Sequence, residues 1–131
     1  LLVARGRHTV TEIGRVGDGE TAMAEQDWVQ FGELMNASGN SSAGDYAISH
    51  PRVEELVAVM RAVPGVAGAR MMGGGEGGST LALLRIDALD DLRRALATFF
   101  DDDSMLTSVV PLSVAPGARL LTGEELETLL Q

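Results

Sequence analysis

Apolar residues recur with the 3.6-residue period of an amphipathic helix through the first half of the chain. Residues 1–24 form the first predicted helix, although the glycines in its interior lower its helix propensity. The second is Asp27–Ala37, where the aspartate is a suitable N-cap. The clearest helix begins at Pro51, a residue suited to a first helical turn, and ends before Pro64. Three helices are therefore predicted before residue 65.

Short apolar runs predict strands farther along the chain. Val66–Met72 and Leu81–Ile86 are two apolar segments joined by a glycine-rich run, and the second is apolar enough for the centre of a sheet. Val110, Leu112 and Val114 alternate as in a strand, but the intervening proline restricts that strand to an edge or a bulge. The three segments together predict a small antiparallel sheet.

The remaining segments complete a single-domain prediction for residues 1–131. Gly39–Gly44 is rich in serine and asparagine and predicts a loop. Asp87 is a candidate cap for a fourth helix, whose apolar face runs from Leu89 to Phe99, and Glu124–Leu130 predicts a short terminal helix. The expected fold class is α+β, with helices packed on one face of a small antiparallel sheet.

Composition narrows the classes of function. The chain has 131 residues, a net charge of −9 and no cysteine. An acidic surface repels nucleic-acid backbones, so no nucleic-acid partner is expected. No run approaches the ~20 apolar residues that a membrane-spanning helix needs, and no secretory signal pattern is present. A cytoplasmic protein without a membrane partner is the expectation.

The glycine-rich run is the segment most in need of an explanation, because glycine costs conformational entropy and offers no side chain to pack. Gly73, Gly75 and Gly78 satisfy Gly-x-Gly-x-x-Gly. A dinucleotide site needs a helix directly after that pattern, whereas a strand is predicted here, and no Lys-Ser/Thr pair closes a P-loop. A phosphate cradle of another kind and a hairpin in which two backbones approach closely both remain open.

Other candidate chemistry is sparse. His8 and His50 are the two histidines, and without cysteine they give little support to a metal site, so no metal ligand is predicted. Each is expected to be an ordinary surface or capping histidine. A Ser-His-Asp set can be assembled from any chain this rich in serine and aspartate, so it has no weight without geometry. Residues alone do not specify a reaction.

Five segments nevertheless resemble one family in collinear order. Ala69–Leu83 resembles the third signature motif of galactokinases, which usually reads Ala/Ser-Arg-Met-Thr-Gly-Gly-Gly-Phe-Gly-Gly-Cys. The other four segments are similar to galactokinase motifs of the form Arg-Ala-Arg-His-Val-Val-x-Glu, Phe-Gly-x-Leu-Met-x-x-Ser, Asp-Tyr-Glu-Val-Ser and Val-Pro-Gly-Val-Tyr-Gly; they are Arg5–Glu12, Phe31–Ser38, Asp45–Ser49 and Val63–Gly68. The resemblance covers about residues 4–121.

The resemblance implies the C-terminal domain of a member of the galacto-, homoserine, mevalonate and phosphomevalonate (GHMP) kinase superfamily, with a ferredoxin-like sandwich. Such an enzyme phosphorylates galactose or a related sugar with ATP and Mg²⁺. Its catalytic residues lie in an N-terminal domain that this chain does not match, so no catalytic residue is assigned and neither cofactor is expected to bind tightly to this chain alone. The implied loop near nucleotide and substrate consists of Gly73, Gly74, Gly75, Glu76, Gly77 and Gly78.

Two departures from the motif leave a second class of function open. Met72 stands where the family usually has threonine, and Glu76 stands where it has phenylalanine. A carboxylate facing ATP phosphates repels them unless Mg²⁺ or an arginine intervenes. The first hypothesis is a kinase C-terminal domain that is inactive without its N-terminal half. The alternative is a stand-alone, non-catalytic binding module that self-associates as a homodimer through exposed apolar surface.

Overall fold

Four helices and two strands make up the computed structural model, which describes residues 1–76, 78–102, 109–113 and 122. The helices are α1 (Leu2–Ala24), α2 (Trp28–Ser41), α3 (Pro51–Arg61) and α4 (Leu89–Phe100), and the strands are β1 (Val66–Met71) and β2 (Thr80–Leu84). The first four predicted helices and the two strands flanking the glycines are confirmed. The fold is α+β, as expected.

Two helix starts follow directly from local chemistry. At α2 the Asp27 carboxylate accepts a hydrogen bond from the Gln30 N–H at 2.9 Å. At α3 the His50 side chain accepts from the Arg52 N–H at 3.1 Å, and Pro51 occupies the first helical position. Each cap satisfies one of the amides that have no partner inside the helix. His50 is therefore a capping histidine, one of the two roles expected for it.

The loop predicted at Gly39–Gly44 is wrong. Helix α2 continues to Ser41 and passes into a π-helical turn, Ser42–Tyr46, which ends at Ala47 with a φ of +59°. A Cβ atom added at Gly39 would lie 3.0 Å from both the Arg61 guanidinium and the Arg70 Cβ. The glycine therefore makes room for two neighbouring arginines, and tertiary packing overrides its low helix propensity.

Two further expectations are corrected on the C-terminal side of the sheet. Asp87 does not cap α4, because it lies in a 3-10 turn, Ile86–Ala88, and its carboxylate pairs with Arg85 instead. No strand forms over residues 109–113, the described part of the strand predicted around Pro111. Val114 and the predicted helix Glu124–Leu130 lie outside the described residues.

The sheet is an antiparallel pair whose register places Ala69 opposite Ala82 and Met71 opposite Thr80. Helices α3 and α4 cover one face of it and form an aliphatic core. The buried members of this core are Val57, Met60, Val63, Ala69, Leu92 and Leu96. Because alternate residues of a strand point to one face, the small side chain of Ala69 lets two helices approach the sheet together.

Helix α2 packs closely against β1. A Cβ atom added at Gly32 would lie 2.4 Å from the Ala67 carbonyl oxygen, and one added at Gly68 would lie 2.4 Å from the Gly32 carbonyl oxygen. The Asn36 amide accepts from the Ala69 N–H at 3.0 Å and donates to the Ala67 carbonyl at 3.3 Å. One side chain of α2 thus satisfies two backbone groups on the edge of β1 that points away from β2.

Candidate functional site

The glycine-rich run forms the loop between β1 and β2. The Met72 N–H donates to the Ser79 carbonyl at 2.9 Å and closes the base of the loop. Inside it, Gly73, Gly75 and Gly78 have φ values of +96°, +104° and +105°. Only glycine adopts such angles without strain, so these three positions require glycine for the backbone path itself.

The loop is held against the connection between α2 and α3. The Glu76 N–H donates to the Ile48 carbonyl at 2.7 Å. A Cβ atom added at Gly75 would lie 2.4 Å from that same carbonyl oxygen. Gly75 therefore serves two purposes, since it supplies the required φ and lets the backbones meet. The close approach of two backbones, one of the open explanations for the glycines, is present here.

Glu76 is the one residue with a side chain in the middle of the loop. Its φ is +61°, in the left-handed region that costs an L-residue about 1–2 kcal/mol. The side chain is exposed. Among residues 1–76, 78–102 and 109–113, no arginine forms an ion pair with it. Its charge is therefore directed to solvent without compensation from the described part of the chain.

The structure that follows the loop shows whether Gly-x-Gly-x-x-Gly can form a dinucleotide site here. Strand β2 begins at Thr80, directly after the loop, so no helix opens immediately after the glycines. The dinucleotide reading of Gly-x-Gly-x-x-Gly is therefore excluded, as the predicted strand indicated. Of the implied site residues, Gly73, Gly74, Gly75, Glu76 and Gly78 share this one loop, whereas Gly77 lies outside the described residues.

A polar cluster between α1, α2 and β1 is the second feature of note. Glu12 accepts hydrogen bonds from Arg15 and from the Ser38 hydroxyl, which also accepts from Arg70. Burial, the largest single influence, opposes ionisation of Glu12. The hydrogen bonds from Ser38 and Arg15, with the charges of Arg15 and His8, outweigh burial, so the pKa of Glu12 lies below its ordinary value. The carboxylate is ionised at neutral pH.

His8 extends this cluster toward the π-helical turn. Its Nδ1 lies 3.0 Å from the Ser41 Oγ, which donates to the Asp45 carboxylate at 3.1 Å, and its ring lies 5.0 Å from that of Tyr46. The order of contacts is His–Ser–Asp, whereas a catalytic triad needs the aspartate on the histidine. No nucleophile is activated here. His8 is half-buried, and it is neither the surface residue nor the cap expected.

The polar cluster is what sequence reasoning missed. His8, Glu12 and Arg15 are spaced i, i+4 and i+7, which places them on one face of α1. That spacing is a usable signal for a polar helix face. The prediction of this helix rested on its apolar residues alone, and those residues lie on the other, exposed face.

A metal site and a membrane-spanning helix are both absent from the part of the chain that the structure describes. No group of three or more His, Cys, Asp or Glu side chains is arranged to hold a metal ion there. None of the helices in those residues has the length and apolar character needed to cross a membrane. The glycine loop therefore remains the leading candidate site.

The structure thus consists of two antiparallel strands, the glycine loop that joins them and the helices packed against them. The chain is an α+β domain with a glycine loop between its strands. The family described as GHMP kinases C terminal matches residues 20–102 of this chain. That match covers more than half of the sequence, and the chain belongs to this family. Within the family, the relatives described next are galactokinases.

The galactokinase of Enterococcus faecalis is 37% identical over 121 residues, which cover 92% of this chain and 31% of the relative. The galactokinase of Homo sapiens is 39% identical over 118 residues, covering 89% of this chain and 29% of the relative. A crystal structure of Lactococcus lactis galactokinase complexed with galactose matches with a TM-score of 0.72 and 34% identity, covering 76% of this chain and 26% of that one. The chain thus spans about a third or less of their length.

Proposed function

We propose that this chain is the C-terminal domain of a galactokinase-like sugar kinase, which transfers the terminal phosphoryl group of ATP to galactose or a related sugar. The observation that supports the proposal most is the glycine loop. Its backbone path requires glycine at three described positions, and the same residues resemble the third galactokinase motif. A location in the cytoplasm and a place in galactose metabolism follow from the same proposal.

The activity requires a preceding domain. Phosphoryl transfer depends on positioning and on stabilisation of charge, and a chain that supplies one wall of a cleft provides little of either. The galactokinases described above are about three times longer than the matched region. We therefore expect the N-terminal part to provide the catalytic residues and most contacts to the sugar, ATP and Mg²⁺, and the isolated chain to be inactive.

The loop would form part of the cleft floor near the substrates. Three glycines allow a ligand to approach the backbone, and attachment to Ile48 keeps the loop in one position. Glu76 opposes this role in part, because a carboxylate near nucleotide phosphates is repulsive. In the intact kinase, Mg²⁺ or an arginine from the N-terminal part would have to offset that charge.

A chimera tests the proposal. The C-terminal region of the Enterococcus faecalis galactokinase is replaced by this chain, and phosphorylation is followed with galactose and a panel of other hexoses. We expect ATP- and sugar-dependent turnover from the chimera and none from the chain alone. A chimera that melts cooperatively but phosphorylates no sugar, with either glutamate or phenylalanine at position 76, would contradict the proposal.

Glu76 favours one alternative, a non-catalytic module that retains the fold. Substitution of Glu76 by glutamine in the chimera removes the charge with little change in size. If the loop serves a kinase, kcat/KM for ATP should rise about fivefold or more, since a repulsion of about 1 kcal/mol is expected between nearby charges in water. A binding module without turnover should show no change in ATP affinity on this substitution.

A further inference from the structure

Helix α1 exposes its large apolar side chains to solvent. Leu2, Val3, Val10, Ile13 and Val16 are between 63% and 84% exposed. Residues 3, 10 and 13 are separated by seven and three positions, so they follow one face of the helix. We call this set of five side chains the α1 stripe. Exposed apolar side chains that share one helix face are typical of a surface that contacts another polypeptide.

The opposite face of α1 is occupied by the polar cluster. Glu12 and Arg15 hydrogen-bond to each other, Glu12 accepts from Ser38 of α2, and His8 contacts Ser41. These bonds fix the rotation of α1, and the stripe cannot turn inward without leaving a partly buried carboxylate and two buried serines unpaired. The exposure of the stripe is therefore built into the fold.

Glycines within the helix give a second, independent indication. Gly6 and Gly17 continue the spacing of Val3, Val10 and Ile13, so they lie within the same face. A Cβ atom at either glycine would meet nothing within 4 Å. No described contact requires glycine there, although glycine weakens a helix interior. A second backbone that approaches the stripe closely would require it.

We propose that the α1 stripe is the surface on which the preceding part of the kinase packs, an inference that rests on the proposed function. The chain spans 26–31% of the length of the three galactokinases described above, so a much longer segment is available as the partner. The family match begins at residue 20, which places the whole stripe before the matched unit. The glycines indicate that the partner contributes a closely packed element.

The test uses the same chimera with a protease site before Leu1. After cleavage, gel filtration with light scattering shows whether the two fragments remain together. We expect the unmodified fragments to stay paired and the double substitution Val10→Asp, Ile13→Asp to weaken their Kd about a hundredfold or more. Val29→Asp is the matched control, since this valine is 69% exposed and belongs to α2 rather than to the stripe.

A second pair of variants probes the glycines. Gly6→Ala and Gly17→Ala should raise the thermal stability of the chain alone, because alanine is the better helix former, while weakening fragment pairing about tenfold. If α1 only stabilised the fold, the two substitutions would not raise thermal stability and weaken fragment pairing at the same time. Equal melting temperatures for the aspartate variants and the parent chain confirm that the variants fold.

The outcomes separate this inference from the proposed function. Fragments that stay paired despite both aspartates overturn the inference, even if the uncut chimera is active. Fragments that separate only when the stripe is substituted support it, even if the chimera phosphorylates no sugar. A dimer of the chain alone that the aspartates convert to monomer, without any binding of the N-terminal fragment, assigns the stripe to a second copy and also overturns the inference.

Discussion

The two sides of β1 and β2 are held by opposite kinds of contact. On the side of α3 and α4, aliphatic residues such as Val57, Leu92 and Leu96 surround Ala69. On the side of α1 and α2, Glu12 and Ser38 form hydrogen bonds and glycines bring backbones together. The aliphatic side supplies stability through area removed from water. The polar side supplies orientation, since its bonds form only in one geometry.

The largest effect is expected on the aliphatic side. Leu92 is 1% exposed, and Leu92→Ala removes its side chain from the centre of the core. We expect a loss of about 2–5 kcal/mol in the free energy of unfolding, because the lost burial and the residual cavity add. Urea unfolding measures it. Leu81→Ala, at a residue 37% exposed, is the control and should cost clearly less.

Close packing of α2 on β1 gives the next largest effect. Gly32→Ala places a methyl group 2.4 Å from the Ala67 carbonyl oxygen, so backbone has to move. The free energy of unfolding should fall by about 1–3 kcal/mol. Gly14→Ala in α1 meets nothing within 4 Å and should instead raise it by roughly 0.5–1 kcal/mol. The same sign for both variants would disprove the packing argument.

The polar side should respond to pH in a way that the aliphatic side does not. Because the pKa of Glu12 is lowered by folding, its contribution to stability is present above the ordinary glutamate pKa and is lost as the pH falls through the folded value. Glu12→Gln should cost about 1 kcal/mol at neutral pH, with the difference shrinking in acid. Glu55→Gln, at an exposed pair with Arg52, should change stability little at any pH.

The smallest effect concerns the loop that connects the strands. Glu76→Gly relieves the left-handed conformation at φ +61°, while glycine loses more entropy on folding. A net gain of up to about 1 kcal/mol is expected from thermal unfolding. Glu55→Gly, within helix α3, offers the opposite case and should cost about 1 kcal/mol. A loss at both positions would mean that the Glu76 side chain makes a stabilising contact.

Sequence patterns predicted the aliphatic side well because hydrophobic periodicity reports burial directly. The helix from Pro51 and the strands around the glycines are confirmed for that reason. The structure of the polar side was harder to predict from the sequence. Gly39 looked like a helix breaker, but it accommodates Arg61 and Arg70, which are distant in sequence. Away from the polar side, in the turn before α4, Asp87 was predicted to be a cap, but its neighbour Arg85 binds its carboxylate.

The candidate site was predictable in position but not in geometry. The density of glycine marked the loop, and the apolar run after it correctly excluded a helix-capped phosphate site. The attachment to Ile48 could not be foreseen, because it joins segments about 28 residues apart through backbone atoms that have no sequence signature. The left-handed conformation of Glu76, the residue that makes this contact, has no sequence signature either.

The hydrogen bonds of the Asn36 side chain affect the tendency of this domain to aggregate at the edge of β1. An edge strand with unpaired amides is a template on which other chains can add, and proteins commonly protect such edges. Here one carboxamide occupies the Ala67 carbonyl and the Ala69 N–H, imitating the hydrogen bonds of a neighbouring strand. The Arg61 guanidinium donates to the Ala69 carbonyl on the same edge, so two side chains together guard it against strand-to-strand aggregation.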